Sequence, residues 1–196
     1  MDGLYDRDTT LALLHAHTLT DSLRRHAYAV EAAMRAAAAR AGGDPAYWAA
    51  VGLLHDFDYE QYPEAPDHPL KGAEILRVKG YPEEFVRTIL SHAVYTGVPR
   101  ENDCARWLFA VDELCGFCMA CAMVQPDRRL AAVEVRSVVK KLRKKDFAAK
   151  VNREEIAEGA SDLGLAQEDV IAHVLAALAG IAGELGLAGA PGAAGA

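Results

Sequence analysis

The sequence predicts an all-α protein, a compact bundle of about 7–9 helices. Three observations carry this. No segment alternates apolar and polar residues as a half-buried strand would. Apolar residues recur instead at three- and four-residue spacing, and helix start and stop signals punctuate the chain throughout.

The elements follow in order. "TDSLRRHAYAVEAAMRAAAAR" sets Leu23, His26, Ala27, Val30, Ala33, Met34 and Ala37 on one helical face, and Gly42 and Gly43 end it. Asp44 and Pro45 form an N-cap and first-turn pair that opens "AYWAAVGLLHDF". "DHPLKGAEILRVKG" repeats the pattern, with Asp67 or His68 as cap, Pro69 inside and Gly80 beyond the end. "YPEEFVRTILSHAVYTG" repeats it again with Pro82 in its first turn. A longer helix is expected over 101–124, a basic one over 130–145, and a short one after Asn152, which forms a capping box with Glu155. A final helix is expected over 167–185. Connections are short and no repeat is visible, so residues 1–186 read as a single domain. Residues 187–196, rich in Gly and Ala without periodicity, read as a disordered tail.

Composition narrows the function. With 196 residues, 52% of them hydrophobic, the chain can bury a substantial core. No apolar run reaches the roughly 18 residues that span a bilayer, and the N-terminus has no signal-peptide pattern, so a cytoplasmic protein without a membrane partner is expected. A net charge of -7 speaks against binding a nucleic-acid polymer. The basic stretch from Arg136 to Arg153, eight of the 21 basic residues with Asp146 as its one acid, reads as a solvated face or as a positive rim for a small anionic substrate. "CGFCMAC" has the spacing that starts an iron–sulfur motif but lacks its completion, so Cys115, Cys118 and Cys121 are expected as buried, inert thiols.

The chemistry lies in the histidines and aspartates. "GLLHDFDYE" ends an apolar helix on His55 and Asp56, and an imidazole beside a carboxylate where the core should continue needs a partner. His26, His68 and His92 occupy core-facing or terminal positions of other helices, and Asp112 interrupts the apolar "WLFAVDELCGF". One bundle can bring these side chains to a point, and a divalent transition metal makes the gathering tolerable: Fe, Mn, Ni, Co or Zn. His15 and His17 in "LLHAHT" are too close in sequence to share a helical face, and His173 sits in an apolar helix as a structural residue.

The order His, His-Asp, His, His, Asp resembles the HD-domain superfamily of metal-dependent phosphohydrolases, all-helical enzymes named for that dipeptide. "HAYAVEAAMR", "GLLHDFDYEQYPEAPDHPLKGAEIL", "ILSHAVYTG", "LFAVDELCGF" and "FAAKVNREEI" resemble a group of predicted hydrolases of that superfamily without an assigned substrate. The resemblance implies that His26, His55, Asp56 and Asp112 ligate one metal. It implies that His68 and His92 add a second, bridged by Asp56. The position three residues after the family's aspartate, often an acid or Lys, is here Tyr59. Asp58 is therefore the candidate general acid, or a carboxylate that steadies a ligand, and Tyr59 a pocket residue. Arg25, Lys71, Lys145, Lys150 and Arg153 are the candidate phosphate contacts.

The implied activity is hydrolysis of a small phosphate ester, such as a nucleotide, by metal-activated water. An alternative on the same scaffold is a diiron oxygenase like myo-inositol oxygenase. Another is a non-catalytic nucleotide sensor.

Overall fold

The computed structural model describes residues 3–189. Among the described residues nine α-helices run in order: α1 (Arg7–His17), α2 (Asp21–Ala41), α3 (Pro45–Leu54), α4 (Asp67–Val78), α5 (Glu83–Leu90), α6 (Asp103–Met123), α7 (Val135–Leu142), α8 (Arg153–Asp162) and α9 (Gln167–Ala179). Short 3-10 turns lie at Val94–Thr96 and Leu130–Ala132. Among the described residues there is no strand, and no helix is long and apolar enough to cross a membrane.

The punctuation read from sequence operates as chemistry. The Asp44 carboxylate accepts from the Ala46 amide with Pro45 in the first turn, and Gly42 closes α2 in the left-handed region at φ 75°. Asn102 caps α6 through the Ala105 amide. Asn152 caps α8 through the amides of Glu154 and Glu155, but its own N–H goes to Glu113 Oε2 at 3.2 Å instead of back to Glu155.

The long helices α2 and α6 form the centre. α3 packs along α2, and α6 is covered by α2, α8 and α9. Two glycines allow the closest crossings. A Cβ on Gly52 would meet the Val30 carbonyl oxygen at 2.8 Å, and one on Gly159 would meet Ala110 Cα at 2.5 Å. The first crossing brings the end of α3, where His55 lies, against α2, where His26 lies. The second brings α8 against α6. Cys115, Cys118 and Cys121 are free thiols buried along α6, as expected, and so is Cys104.

Several boundaries differ from expectation. Neither Asp67 nor His68 caps α4, whose N-cap is Pro66 and whose His68 and Pro69 are non-helical, and Pro82 is the extended N-cap of α5 and does not lie in its first turn. The basic helix starts at Val135, because Leu130–Ala132 form a 3-10 turn and Val133 and Glu134 run extended before it. The last helix ends at Ala179, and the chain turns until the Leu187 amide reaches the Ala182 carbonyl. Leu185 and Leu187 are both buried, so the fold extends past the expected start of the tail at 187. Positions 190–196 lie outside the described residues.

Candidate metal centre

The segment from His55 to Glu60 organises the site. Phe57 is buried, and its carbonyl accepts from the Thr18 hydroxyl at 2.9 Å. The Glu60 carboxylate accepts from the amides of Leu19 and Thr20 and from the Thr20 hydroxyl, which ties this segment to the start of α2. His55 and Asp56 are thereby held beside His26, one turn further along α2.

The six expected side chains converge as two groups that share Asp56. His26, His55, Asp56 and Asp112 each offer an atom within 4.8 Å of the others, and so do Asp56, His68 and His92. Asp112 Oδ1 lies 3.0 Å from His26 Nε2 and 3.2 Å from His55 Nε2. Asp56 divides its oxygens: Oδ2 is 3.5 Å from His55 Nε2, while Oδ1 is 3.2 Å from Nε2 of both His68 and His92.

The far nitrogens of three rings are held. His55 Nδ1 donates to the Gly52 carbonyl at 2.8 Å, and His92 Nδ1 donates to the Ile89 carbonyl at 2.6 Å. His68 Nδ1 donates to Asp58 Oδ1 at 2.9 Å. A carbonyl can only accept, so these contacts fix the proton on Nδ1 and turn the Nε2 lone pair toward the carboxylates. Lone pair facing carboxylate oxygen is unfavourable unless a proton or a cation lies between. His55 is fully buried, and its Nε2 has no hydrogen-bond partner.

The electrostatics agree. Burial opposes charge on His55, yet Asp56 and Asp112 outweigh it and raise the ring well above its ordinary range. Burial likewise opposes charge on His68, and Asp56 and Asp58 together push it up to about 9. Burial would raise Asp56, but His55, His68 and His92 hold it well below the usual carboxylate range. Asp112 is also lowered, chiefly by His55 against the opposing effect of burial. This donor set of imidazoles and carboxylates wants positive charge at its centre and fits one or two divalent metal ions.

The groups form the floor of a cavity of about 410 Å³. Tyr59, Pro63, Ala65, Val94 and Tyr95 are among its lining residues. Tyr59, Val94 and Tyr95 are exposed at the mouth, and Tyr95 donates its hydroxyl to the His68 carbonyl at 2.6 Å. Glu113, Gly116 and Glu155 also line it. Burial, with the nearby Asp112, pushes Glu113 up to about 7 and raises Glu155. Neither glutamate belongs to the two ligand groups.

Other expected site residues lie elsewhere. Asp58 is fully buried behind His68 and absent from the cavity wall. Its Oδ1 takes His68 and its Oδ2 takes the Gly72 amide at 2.8 Å, so it steadies a ring and is not placed to pass a proton to substrate. A Cβ on Gly72 would meet the Asp58 carboxyl carbon at 2.8 Å, which explains the glycine there.

The expected positive rim does not form: among the described residues no Lys or Arg lines the cavity. The Arg25 guanidinium lies against Gly186. Lys71 pairs with Glu74 at 3.1 Å on the surface. Lys145 and Lys150 are exposed away from the cavity wall. The Arg153 guanidinium is consumed by the carbonyls of Leu142, Lys144, Phe147, Ala148 and Val151, which it gathers into a closed loop. His15 bonds Tyr28, His17 bonds Gln61, and His173 Nε2 donates to the Ala33 carbonyl at 3.0 Å, all apart from the site.

Sequence reasoning missed Glu113 and Glu155. Glu113 follows Asp112 directly, and Glu155 was absorbed as a capping partner.

No curated protein and no solved structure matches the chain. A model of the HD domain matches residues 23–114, a span that runs from α2 into α6 and contains all six converging side chains. Residues 23–114 thus match the HD domain, which is consistent with the HD-domain superfamily over that segment.

Proposed function

We propose that the chain is a metal-dependent phosphohydrolase acting on a small phosphate ester. The observation that supports this best is the division of Asp56, whose two oxygens face two different histidine groups. In this reading His26, His55, Asp56 and Asp112 hold one divalent ion, and Asp56, His68 and His92 hold another. Such ions, when bound, supply a nucleophilic water at neutral pH and neutralise phosphoryl oxygens.

The chain's own part is placement. Gly52, Asp58 and Ile89 fix three imidazole tautomers, which keeps each Nε2 free as a donor atom. Tyr59, Val94 and Tyr95 narrow the mouth over the floor and limit the substrate to something small. The reading puts the protein in the cytoplasm, acting on a dissolved small molecule and not on a nucleic-acid polymer or a membrane.

The test is a screen of phosphate esters with Mn, Fe, Ni, Co and Mg, run beside Asp56→Ala. Phosphate release by the wild type and its loss in the variant is the expected result. No turnover with any metal-loaded preparation would overturn the hydrolase. The wall without Lys or Arg supports one second reading, a diiron oxygenase whose substrate need not be a phosphate. Oxygen consumption by iron-loaded protein would favour it, and turnover with redox-inert Mg would exclude it.

A further inference from the structure

Two segments bring apolar side chains to the cavity that holds the converging histidines and aspartates: Tyr59, Pro63 and Ala65 from one, Ala93, Val94 and Tyr95 from the other. Tyr59, Val94 and Tyr95 are 39, 52 and 55% exposed, three of the eight large hydrophobic side chains left exposed among the described residues. Single exposed side chains of this kind are ordinary, but several lining one cavity mark a surface that something covers.

The two rings share an anchor. The Tyr95 hydroxyl donates to the His68 carbonyl at 2.6 Å, and the Tyr59 ring stands edge-on to the His68 imidazole, with 5.2 Å between centroids and 89° between planes. Their backbones are pinned as well. The Tyr59 amide donates to the Asp56 carbonyl at 3.0 Å, and the hydroxyl of Thr96, next to Tyr95, reaches the Leu90 and Ala93 carbonyls. Rings held before binding need little ordering when a ligand arrives. His68 Nε2 in turn faces Asp56 Oδ1 at 3.2 Å, so both rings stand beside one of the two groups on the floor.

That position says what covers them. An ester held by its phosphate at the floor must place its alcohol portion in the same cavity. Among the described residues no Lys or Arg lines it, so nothing there answers a second anionic group. The Tyr95 hydroxyl is spent on His68, and Pro63, Ala65, Ala93 and Val94 have no hydrogen-bonding side chain. Of the two glutamates in the lining, Glu113 already accepts the Asn152 amide. A sugar would give up water here for few partners, whereas an apolar group gains burial against the rings.

We infer that the site selects a phosphate ester whose alcohol portion is apolar and uncharged, with Tyr59 and Tyr95 as the specificity-determining pair that packs it beside His68. This rests on the phosphohydrolase reading above. It disfavours sugar phosphates and nucleoside polyphosphates.

The experiment uses the full chain loaded with Mn and three esters of primary alcohols: benzyl phosphate, ethyl phosphate and ribose 5-phosphate. Phosphate release gives kcat/KM for each, and metal content is measured on the same samples. Benzyl phosphate should exceed ethyl phosphate about tenfold, as packing one ring against others would give, and ribose 5-phosphate should not exceed ethyl phosphate. Tyr59→Ala and Tyr95→Ala should each lower the benzyl-to-ethyl ratio about threefold. Tyr95→Phe keeps the ring and gives up only the hydroxyl contact, so it should hold the ratio. Both tyrosines are exposed, so their truncation should leave the chain folded. A ratio near one in wild type, a preference for ribose 5-phosphate, or a ratio unchanged in both alanine variants would overturn the inference while leaving the hydrolase reading intact. Turnover of another ester in the screen above, with none of these three, would do the same. So would a dimer in sedimentation that Tyr59→Ala dissociates, because a second copy would then cover the rings. No phosphate release from any ester would remove the phosphohydrolase reading and this inference with it.

Discussion

Asp58 and His68 are bound as carboxylate and imidazole at 2.9 Å, and the carboxylate's other oxygen is held by the Gly72 amide at 2.8 Å. Both neighbours are donors, so both oxygens must accept. Asparagine at this position can satisfy only one of them, because its amide nitrogen would face a second donor. Asp58→Asn should therefore weaken metal binding at the His68 group by about 10–100-fold. Cobalt titration followed by absorbance checks this. An unchanged affinity would show that His68 needs no support from Asp58.

The shared carboxylate gives a sharper contrast. Asp56→Ala should lose metal from both groups, whereas His92→Ala should lose only what the Asp56, His68 and His92 group holds. Elemental analysis of untagged protein reads the two directly. Chelation of the wild type should lower its melting temperature, because a ligand bound only by the folded chain stabilises it by mass action. Equal metal content in all three proteins would remove the assignment of these residues as ligands.

Gly159 allows α8 to sit on α6, where an added Cβ would fall 2.5 Å from the Ala110 Cα. Backbone cannot step aside as a flexible side chain can. Gly159→Ala should cost about 1–3 kcal/mol through overpacking, despite alanine's better helix propensity. Urea unfolding reports the value. Stabilisation by the substitution would mean that the two helices can separate without penalty.

His173 provides a pH dependence away from the metal centre. Burial, with Arg40 adding, lowers its pKa below the ordinary 6.5, while its Nε2–H donates to the Ala33 carbonyl. Trp107 packs against the ring at 4.7 Å. The unfolded chain takes up this proton before the folded one does. The stability contributed by neutral His173 is therefore full above about pH 6.5 and is lost as pH falls from there toward the folded pKa, by at most about 1.4 kcal/mol per pH unit. Glutamine can donate to the same carbonyl and does not titrate. Thermal melts between pH 7 and pH 5 should fall less steeply in His173→Gln than in wild type, and parallel curves would contradict the assignment.

The helices and the set of converging histidines and aspartates were legible in the sequence because both rest on local signals. Gly42, the Asp44–Pro45 pair and Asn152 cap helices through their immediate neighbours, and the order His26, His55–Asp56, His68, His92, Asp112 survives any packing that joins those helices. What could not be read depends on tertiary direction. Arg153 and Lys145 look alike in a basic run, yet the first spends its donors on five backbone carbonyls and the second faces water. Glu155 fitted a capping box, but the Asn152 amide that would have completed it bonds Glu113 instead, a contact across 39 residues. Asp58 carried the right chemistry for proton transfer and the wrong orientation, since Gly72 makes the room that turns it inward. Leu187 lay in a stretch without periodicity and was drawn into the fold by one carbonyl pairing with Leu130.

The two oxygens of Asp56 make the histidine groups on either side a single thermodynamic system. A cation held by Asp56 and His55 would restrict the carboxylate's rotation and withdraw electron density from the oxygen that faces His68 and His92. Whatever the first occupant does to the affinity of the second, the second must do equally to the first. Filling such a pair follows one coupled isotherm, and the separation between its two steps measures how much of Asp56 each side claims.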